Sequence, residues 1–244
     1  RNYDSRISVD SGGFSTSLYK RGLVNSNGIE VEEEGSMLIW SIMGMASDNG
    51  TVSSFDIQYG ASRNLNAVNT SMAALEFAKN VISSLDARKT DSFKGEVVFS
   101  PQASLEVLLD PVVHSLNSRN IHNDASYFAS RIGGDVTSSD VTMIDDGAQK
   151  GELFSSNFDR EGVPHKRLTL IKSGVLCSYI YNSHSASKDN VDSTGNASGT
   201  YRSAPSISTT NFIVESGNLD LINMISEIRK GLIVTRFSGN VNPV

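Results

Sequence analysis

A chain of 244 residues, 38% hydrophobic and 20% charged, is long enough to bury a sizeable core and reads as a globular protein. Its net charge of −6 argues against nucleic acid as a main partner, because phosphate binding depends on clustered Lys and Arg. The longest apolar run, residues 37–46, is interrupted by Ser41 and Gly44 and is far shorter than the about 20 residues of a membrane span, so no membrane is expected. The lone Cys177 rules out an internal disulfide and fits a reducing cytoplasm; within the apolar run 175–180 it reads as a half-buried structural thiol. No secretory signal is visible, and a start at Arg1 rather than Met reads as a processed or truncated piece.

The first 64 residues carry β signals. Asn25-Ser26-Asn27-Gly28 and Asp48-Asn49-Gly50 are tight-turn sequences, since Asn and Gly tolerate the positive φ that hairpins demand. They predict a long strand over 29–46 and an antiparallel return over 51–62. The acidic run 30–34 reads as a solvated face. From 66 to 85 the period changes: Val68, Met72, Leu75, Ile82 and Leu85 predict one apolar helix face. A strand over 96–99 follows. Ser100-Pro101 then starts a helix, with Ser as N-cap and Pro in the first turn. Asp110-Pro111 repeats the signature, so either a new helix begins there or a longer one kinks where Pro111 lacks its N–H.

Further on, a short helix is predicted over 123–131 and a strand over 141–144. Residues 145–164 form a long polar connection. A hairpin spans 167–172 and 175–181 across Ser173-Gly174, and 183–205 read as a polar, Gly-rich stretch. A helix over 218–229, with Leu219, Ile222, Ile225 and Ile228 in register, is ended by Gly231 and followed by a closing strand over 232–237. The fold class is α+β, antiparallel sheets with packed helices. Two regions are expected: a β-rich one with a long helix over 1–94, and an α+β core over 95–244.

Two polar motifs stand out, Asn157-Phe158-Asp159-Arg160-Glu161-Gly162-Val163-Pro164 and Ser193-Thr194-Gly195-Asn196-Ala197. In the first, Asp159 and Glu161 either line a cleft or cap backbone amides and pair with Arg160. In the second, Gly195 permits close approach and Asn196 offers donor and acceptor; the segment either holds a peptide backbone or is simply a polar loop. With the turn Asp145-Asp146-Gly147 before them and Gly231-Leu232-Ile233-Val234-Thr235-Arg236-Phe237-Ser238-Gly239-Asn240-Val241 after them, they form an ordered set. In that order the chain resembles the TldD/PmbA (TldE) family, peptidases and peptidase partners once labelled modulators of DNA gyrase.

The resemblance implies an α+β fold truncated at both ends here, a cytoplasmic protein of proteolysis or peptide maturation, and peptide substrates. It also implies assembly as a homodimer or as a heterodimer with a zinc-bearing family member. It makes Asp159, Glu161, Gly162, Thr194, Gly195 and Asn196 candidate substrate-binding residues. In catalytic members of the family the helix matching 109–114 reads HExxxH: two imidazoles hold zinc, and the Glu acts as general base on the bound water. Here it reads Leu109-Asp110-Pro111-Val112-Val113-His114. Only Asp110 and His114 remain of the motif, and His114 alone retains a ligand position. Cys177 does not match the family's cysteine ligand, which falls past Val244. A carboxylate–His set on one helix face (Glu106, Asp110, His114) is a second way to hold a divalent ion. The expectation is no cofactor on this chain, with zinc in a partner subunit. Three functions follow: the non-zinc subunit of a peptidase pair, an autonomous metallopeptidase with an atypical site, or a regulator of gyrase.

Overall fold

A computed structural model describes residues 3–237, so Arg1 and the motif residues Ser238 to Val241 lie outside the described residues. The chain forms two compact units: one of residues 3–22, 32–92 and 151–153, the other of residues 23–31, 93–150 and 154–237. In the first, β1 (Ile7–Val24) and β2 (Glu30–Asp48) form a long hairpin through the Asn25–Ile29 turn, where Asn25 N donates to Ile29 O. Residues 23–31, which include its turn, are part of the second unit. β3 (Thr51–Val52) and β4 (Asp56–Ser62) return against β2. The return strand predicted over 51–62 is thus broken in two. Ser53 causes the break: its N donates to Ala46 O and its Oγ accepts from Ala46 N, which pulls the chain out of register. The acidic run sits on β2, where Glu32 and Glu33 meet Lys20 and Arg21 across the hairpin.

Helix α1 (Thr70–Ser83) begins where the Asn69 side chain accepts from Met72 N, four residues later than predicted. Its buried face is Phe77, Ala78 and Val81, with Ile82 and Leu85 beside them; Phe77 and Val81 pack on Ala46 and Ile42. Met72 and Leu75, read as part of the buried face, are exposed. They lie out of phase with the 77/78/81 stripe, which contains the helix's only phenylalanine and takes the core.

In the second unit, β5 (Glu96–Phe99) pairs in parallel with β12 (Gly231–Val234). Ser100 then caps α2 (Pro101–Ser104), its Oγ accepting from Ala103 N and donating to Thr235 O. The helix does not restart at Asp110. It passes through a π-helical turn, Leu105–Leu109, in which Asp110 N donates to Leu105 O, and continues as α3 (Asp110–Leu116). Pro111 has no N–H for the carbonyl four residues back, and a wider turn beside it absorbs the defect.

The helix expected over 123–131 lies earlier, at α4 (Ser118–His122). Asn117 caps it by accepting from Arg119 N, while the left-handed Asp124 and Ser130 break the chain afterwards. A four-stranded sheet runs in the order β11-β6-β7-β8, built from β6 (Met143–Asp146), β7 (Arg167–Lys172), β8 (Val175–Leu176) and β11 (Phe212–Val214). β8 is shorter than the predicted 175–181. Leu176 turns into the core and Cys177 faces solvent, so the thiol is exposed rather than half-buried.

The stretch 183–205 contains an unpredicted helix, α5 (Ser183–Asp189), and a two-residue strand, β9 (Ala197–Ser198), which pairs antiparallel with β10 (Ser206–Ile207) just after it. The predicted helix over 218–229 is trimmed to α6 (Leu221–Glu227) by the Asp220 cap, and its Ile222 and neighbouring Leu219 are exposed. The core of this unit joins Leu116, Leu170, Ile171, Leu176 and Ile180 with Phe128, Tyr179 and Tyr181.

Candidate functional site

The two polar motifs meet around two buried carboxylates. Asp159, 2% exposed, sits in a tight loop closed by Asp159 N donating to Val163 O. Its Oδ1 accepts from Glu161 N (2.8 Å) and Val163 N (3.0 Å), and its Oδ2 accepts from Ala197 N (2.9 Å). One carboxylate thus shapes its own loop and ties it to the second motif. Arg160 N donates to Ala197 O, closing the link from the other side. The Arg160 guanidinium turns away from Asp159 and Glu161 and donates to the carbonyls of Thr200 and Ser203. Glu161 Oε2 accepts from Ser183 N (2.8 Å) at the first turn of α5, where a carboxylate complements the unpaired helix N–H groups.

Asp145 on β6 is the second carboxylate, 3% exposed. Its Oδ2 accepts from Asn196 Nδ2 (2.6 Å), and its Oδ1 accepts from Thr210 N (2.7 Å) and Thr210 Oγ1 (2.9 Å). Burial pushes its carboxyl above the usual carboxylate range; the Asn196 and Thr210 hydrogen bonds and the nearby His165 oppose that shift. Thr194 Oγ1 accepts from Tyr181 N (2.7 Å) and donates to Asn196 Oδ1 (2.6 Å), which fixes the orientation of the Asn196 amide. Gly162 and Gly195 both have positive φ, 85° and 77°. A Cβ at Gly162 would lie 2.7 Å from Ile29 Cγ2, and one at Gly195 would lie 2.8 Å from Pro164 O. Both positions need glycine for conformation and for space.

Asp159, Glu161, Gly162, Thr194, Gly195 and Asn196 are therefore brought together, with the Asp159, Thr194 and Asn196 side chains spent on protein partners. Sequence reasoning missed Thr210 and Asn211. Asn211 Nδ2 donates to Asp146 O, and its Oδ1 accepts from Phe154 N. The only signal for them was the polar run Ser208-Thr209-Thr210-Asn211. His122 bonds Asp189 at 2.7 Å, and the other Asp189 oxygen accepts from the Tyr181 hydroxyl at 2.9 Å. Burial and that carboxylate push the Tyr181 hydroxyl well above its ordinary pKa.

The helix at 109–114 is built differently. Leu109 packs against the core, Asp110 is exposed, and His114 Nε2 is buried without a hydrogen-bond partner. Glu106 accepts from Phe237 N and Gln102 Nε2. Among the described residues no three His, Cys, Asp or Glu side chains are grouped to hold a metal ion. The donor set present, a single imidazole, does not fit a zinc site of the HExxxH type. Among the described residues no helix is long and apolar enough to cross a membrane.

The fold is α+β, with two motif loops locked together by buried carboxylates. Residues 92–244 match the family described as the PmbA/TldA metallopeptidase C-terminal domain, and the chain belongs to this PmbA/TldD family. An uncharacterised Methanocaldococcus jannaschii protein is 33% identical over 87% of this chain and 49% of its own length. TldE from Thermococcus kodakarensis superposes with a TM-score of 0.83 at 24% identity, covering 98% of this chain and 55% of that one. A Thermotoga maritima protein, described as a candidate modulator of a DNA gyrase, superposes with a TM-score of 0.87 at 23% identity, over 98% of this chain and 54% of that one. The chain spans about half the length of the curated relatives it matches.

Proposed function

We propose that this chain acts as the non-zinc member of a peptidase pair, supporting a zinc-bearing family member that cleaves extended peptides. The observation that carries this reading is the helix at 109–114: Leu109 is part of the core, Asp110 faces solvent, and His114 is left as a lone imidazole. The TldE name of a structural relative supports it. On this reading the two motif loops contribute shape and backbone groups to the pair, because the Asp159, Thr194 and Asn196 side chains are already satisfied inside the protein.

The test is metal analysis and peptidase assay of the protein alone and co-purified with a zinc-bearing family member. We expect substoichiometric zinc and no cleavage alone, cleavage by the pair, and an active pair after His114→Ala. Stoichiometric zinc on the isolated protein, with activity abolished by His114→Ala, overturns the proposal. That outcome would establish the second reading, an autonomous enzyme with an atypical site, which the unpartnered His114 Nε2 favours.

A further inference from the structure

An asparagine followed by glycine carries its own reaction partner. The side-chain amide lies within reach of the next backbone nitrogen, and glycine has no side chain to obstruct the ring that forms. The chain contains two such pairs, Asn27-Gly28 before β2 and Asn49-Gly50 after it. Both pairs are exposed, and a Cβ at either glycine would meet nothing within 4 Å, so water reaches both. Exposure therefore does not separate them.

Hydrogen bonding does. In the turn between β1 and β2, Asn25 Oδ1 accepts from Asn27 N (2.9 Å) and Ile29 N (3.2 Å), and Asn25 O accepts from Gly28 N (3.3 Å). The Gly28 nitrogen is thus a donor already in use, and an amide held in this way gives up its proton more slowly. Asn49 and Gly50 are the two central residues of the turn between β2 and β3, both at positive φ (47° and 86°), with Asp48 paired to Thr51 across it. Among the described residues neither the Gly50 N–H nor the Asn49 side-chain amide has a hydrogen-bond partner. Nucleophile and target are both uncommitted.

We propose that Asn49 is a site of spontaneous modification, converting to aspartyl and isoaspartyl residues through a cyclic imide, while the Asn25 turn protects Asn27. Gly50 N gives its proton to hydroxide or water and attacks Asn49 Cγ. The Cγ–Nδ2 bond breaks, ammonia leaves, and the imide ring closes. Water then adds to one of the two ring carbonyls: opening at Cγ gives an aspartyl residue, and opening at the main-chain carbonyl gives an isoaspartyl residue with its β-carbon in the backbone. In sum, one water is consumed, one ammonia is released, and an amide becomes a carboxylate. Either product puts a new negative charge beside Asp48, which shares the Arg6 guanidinium with Asp4. The isoaspartyl form also lengthens a loop that the Asp48–Thr51 and Ser47–Val52 pairs hold at two residues, and so loosens that end of the first unit. The site is independent of the zinc-partner reading.

The experiment incubates the 244-residue protein in warm, mildly alkaline buffer and follows each site by mass spectrometry after cleavage at glutamate. Glu30, Glu32, Glu33 and Glu34 lie between the two asparagines, so each falls in its own peptide. An isoaspartyl methyltransferase with its methyl donor identifies the isoaspartyl product. We expect Asn49 to convert about fivefold faster than Asn27 in the native protein, the protection that one ordinary hydrogen bond gives. In concentrated urea, where the turns are gone, the two rates should converge. Asn49→Gly keeps a residue that accepts positive φ and has no amide; it should lose the product at this site and leave the Asn27 rate unchanged. Trp40, the chain's single tryptophan, lies on β2 and reports the consequence: the urea midpoint by fluorescence should fall in aged parent and hold in aged Asn49→Gly. Equal native rates at the two sites, faster conversion of Asn27, or a gap that persists in urea overturns the assignment. An unchanged midpoint in fully converted protein overturns the loosening.

Discussion

Asp159 stands alone among the motif residues in satisfying three backbone N–H groups from two separate loops. Removing it leaves buried donors without water to replace the carboxylate, so Asp159→Ala should destabilise the second unit by about 3–4 kcal/mol. Urea midpoints at an unchanged m-value measure that; a loss below about 1 kcal/mol would mean that solvent reaches the loop. Asp145 behaves differently because its burial outweighs its hydrogen bonds and raises its carboxyl above 3.8. The folded state therefore binds this proton more tightly than the unfolded chain. Its contribution to stability is complete below pH about 3.8 and is lost as pH rises through the raised folded value. Asp145→Asn cannot ionise, so its stability relative to the parent should climb across that window, although the Asn amide faces the Asn196 amide and lowers stability at every pH. Denaturation midpoints of the two proteins from pH 3 to 7 test the sign. A parent that gains on the variant as pH rises would show that the hydrogen bonds win over burial.

At the scale of elements, what the sequence made legible was what neighbouring residues decide. Ser100-Pro101 starts a helix because cap and ring act within four residues, and Asn25-Ser26-Asn27-Gly28 turns the chain for the same reason. The Pro111 defect was legible, but its outcome was not. Whether a helix breaks, kinks or widens depends on what packs on both sides, and here Leu109 and Val112 are held by one core. α5 was invisible because its sequence, Ser183 to Asp189, has no apolar period. Its support is a capping box between Asn182 and Ser185 and the carboxylate of Glu161, 22 residues earlier. The candidate loops divide along the same line. The turn inside the first motif is local and readable, whereas the Asp159–Ala197 and Asp145–Asn196 links span 38 and 51 residues and are set by the sheet. The α1 stripe failed for a further reason: an amphipathic pattern fixes a period, and Phe77, the largest side chain in reach of Ala46, fixes the phase.

At the scale of the whole molecule, each unit carries its own hydrophobic cluster, and the two differ in size. The first centres on Ala46, Phe77 and Val81; the second joins eleven buried residues from Leu116 to Ile207. Burial of apolar area is the main favourable contribution to folding, so the first unit should be the weaker of the two. Trp40 belongs to it, and its fluorescence therefore reports the first unit, while far-UV circular dichroism reports both. We expect the fluorescence transition in urea to precede the last part of the dichroism transition, a departure from two-state unfolding. Phe77 is 1% exposed, and Phe77→Ala removes its ring from the smaller cluster at a cost of about 3–5 kcal/mol. The variant should lose most or all of the native Trp40 signal in buffer while retaining a cooperative dichroism transition from the second unit. Coincident midpoints for both probes in the parent, moving together in Phe77→Ala, would show a single cooperative body instead.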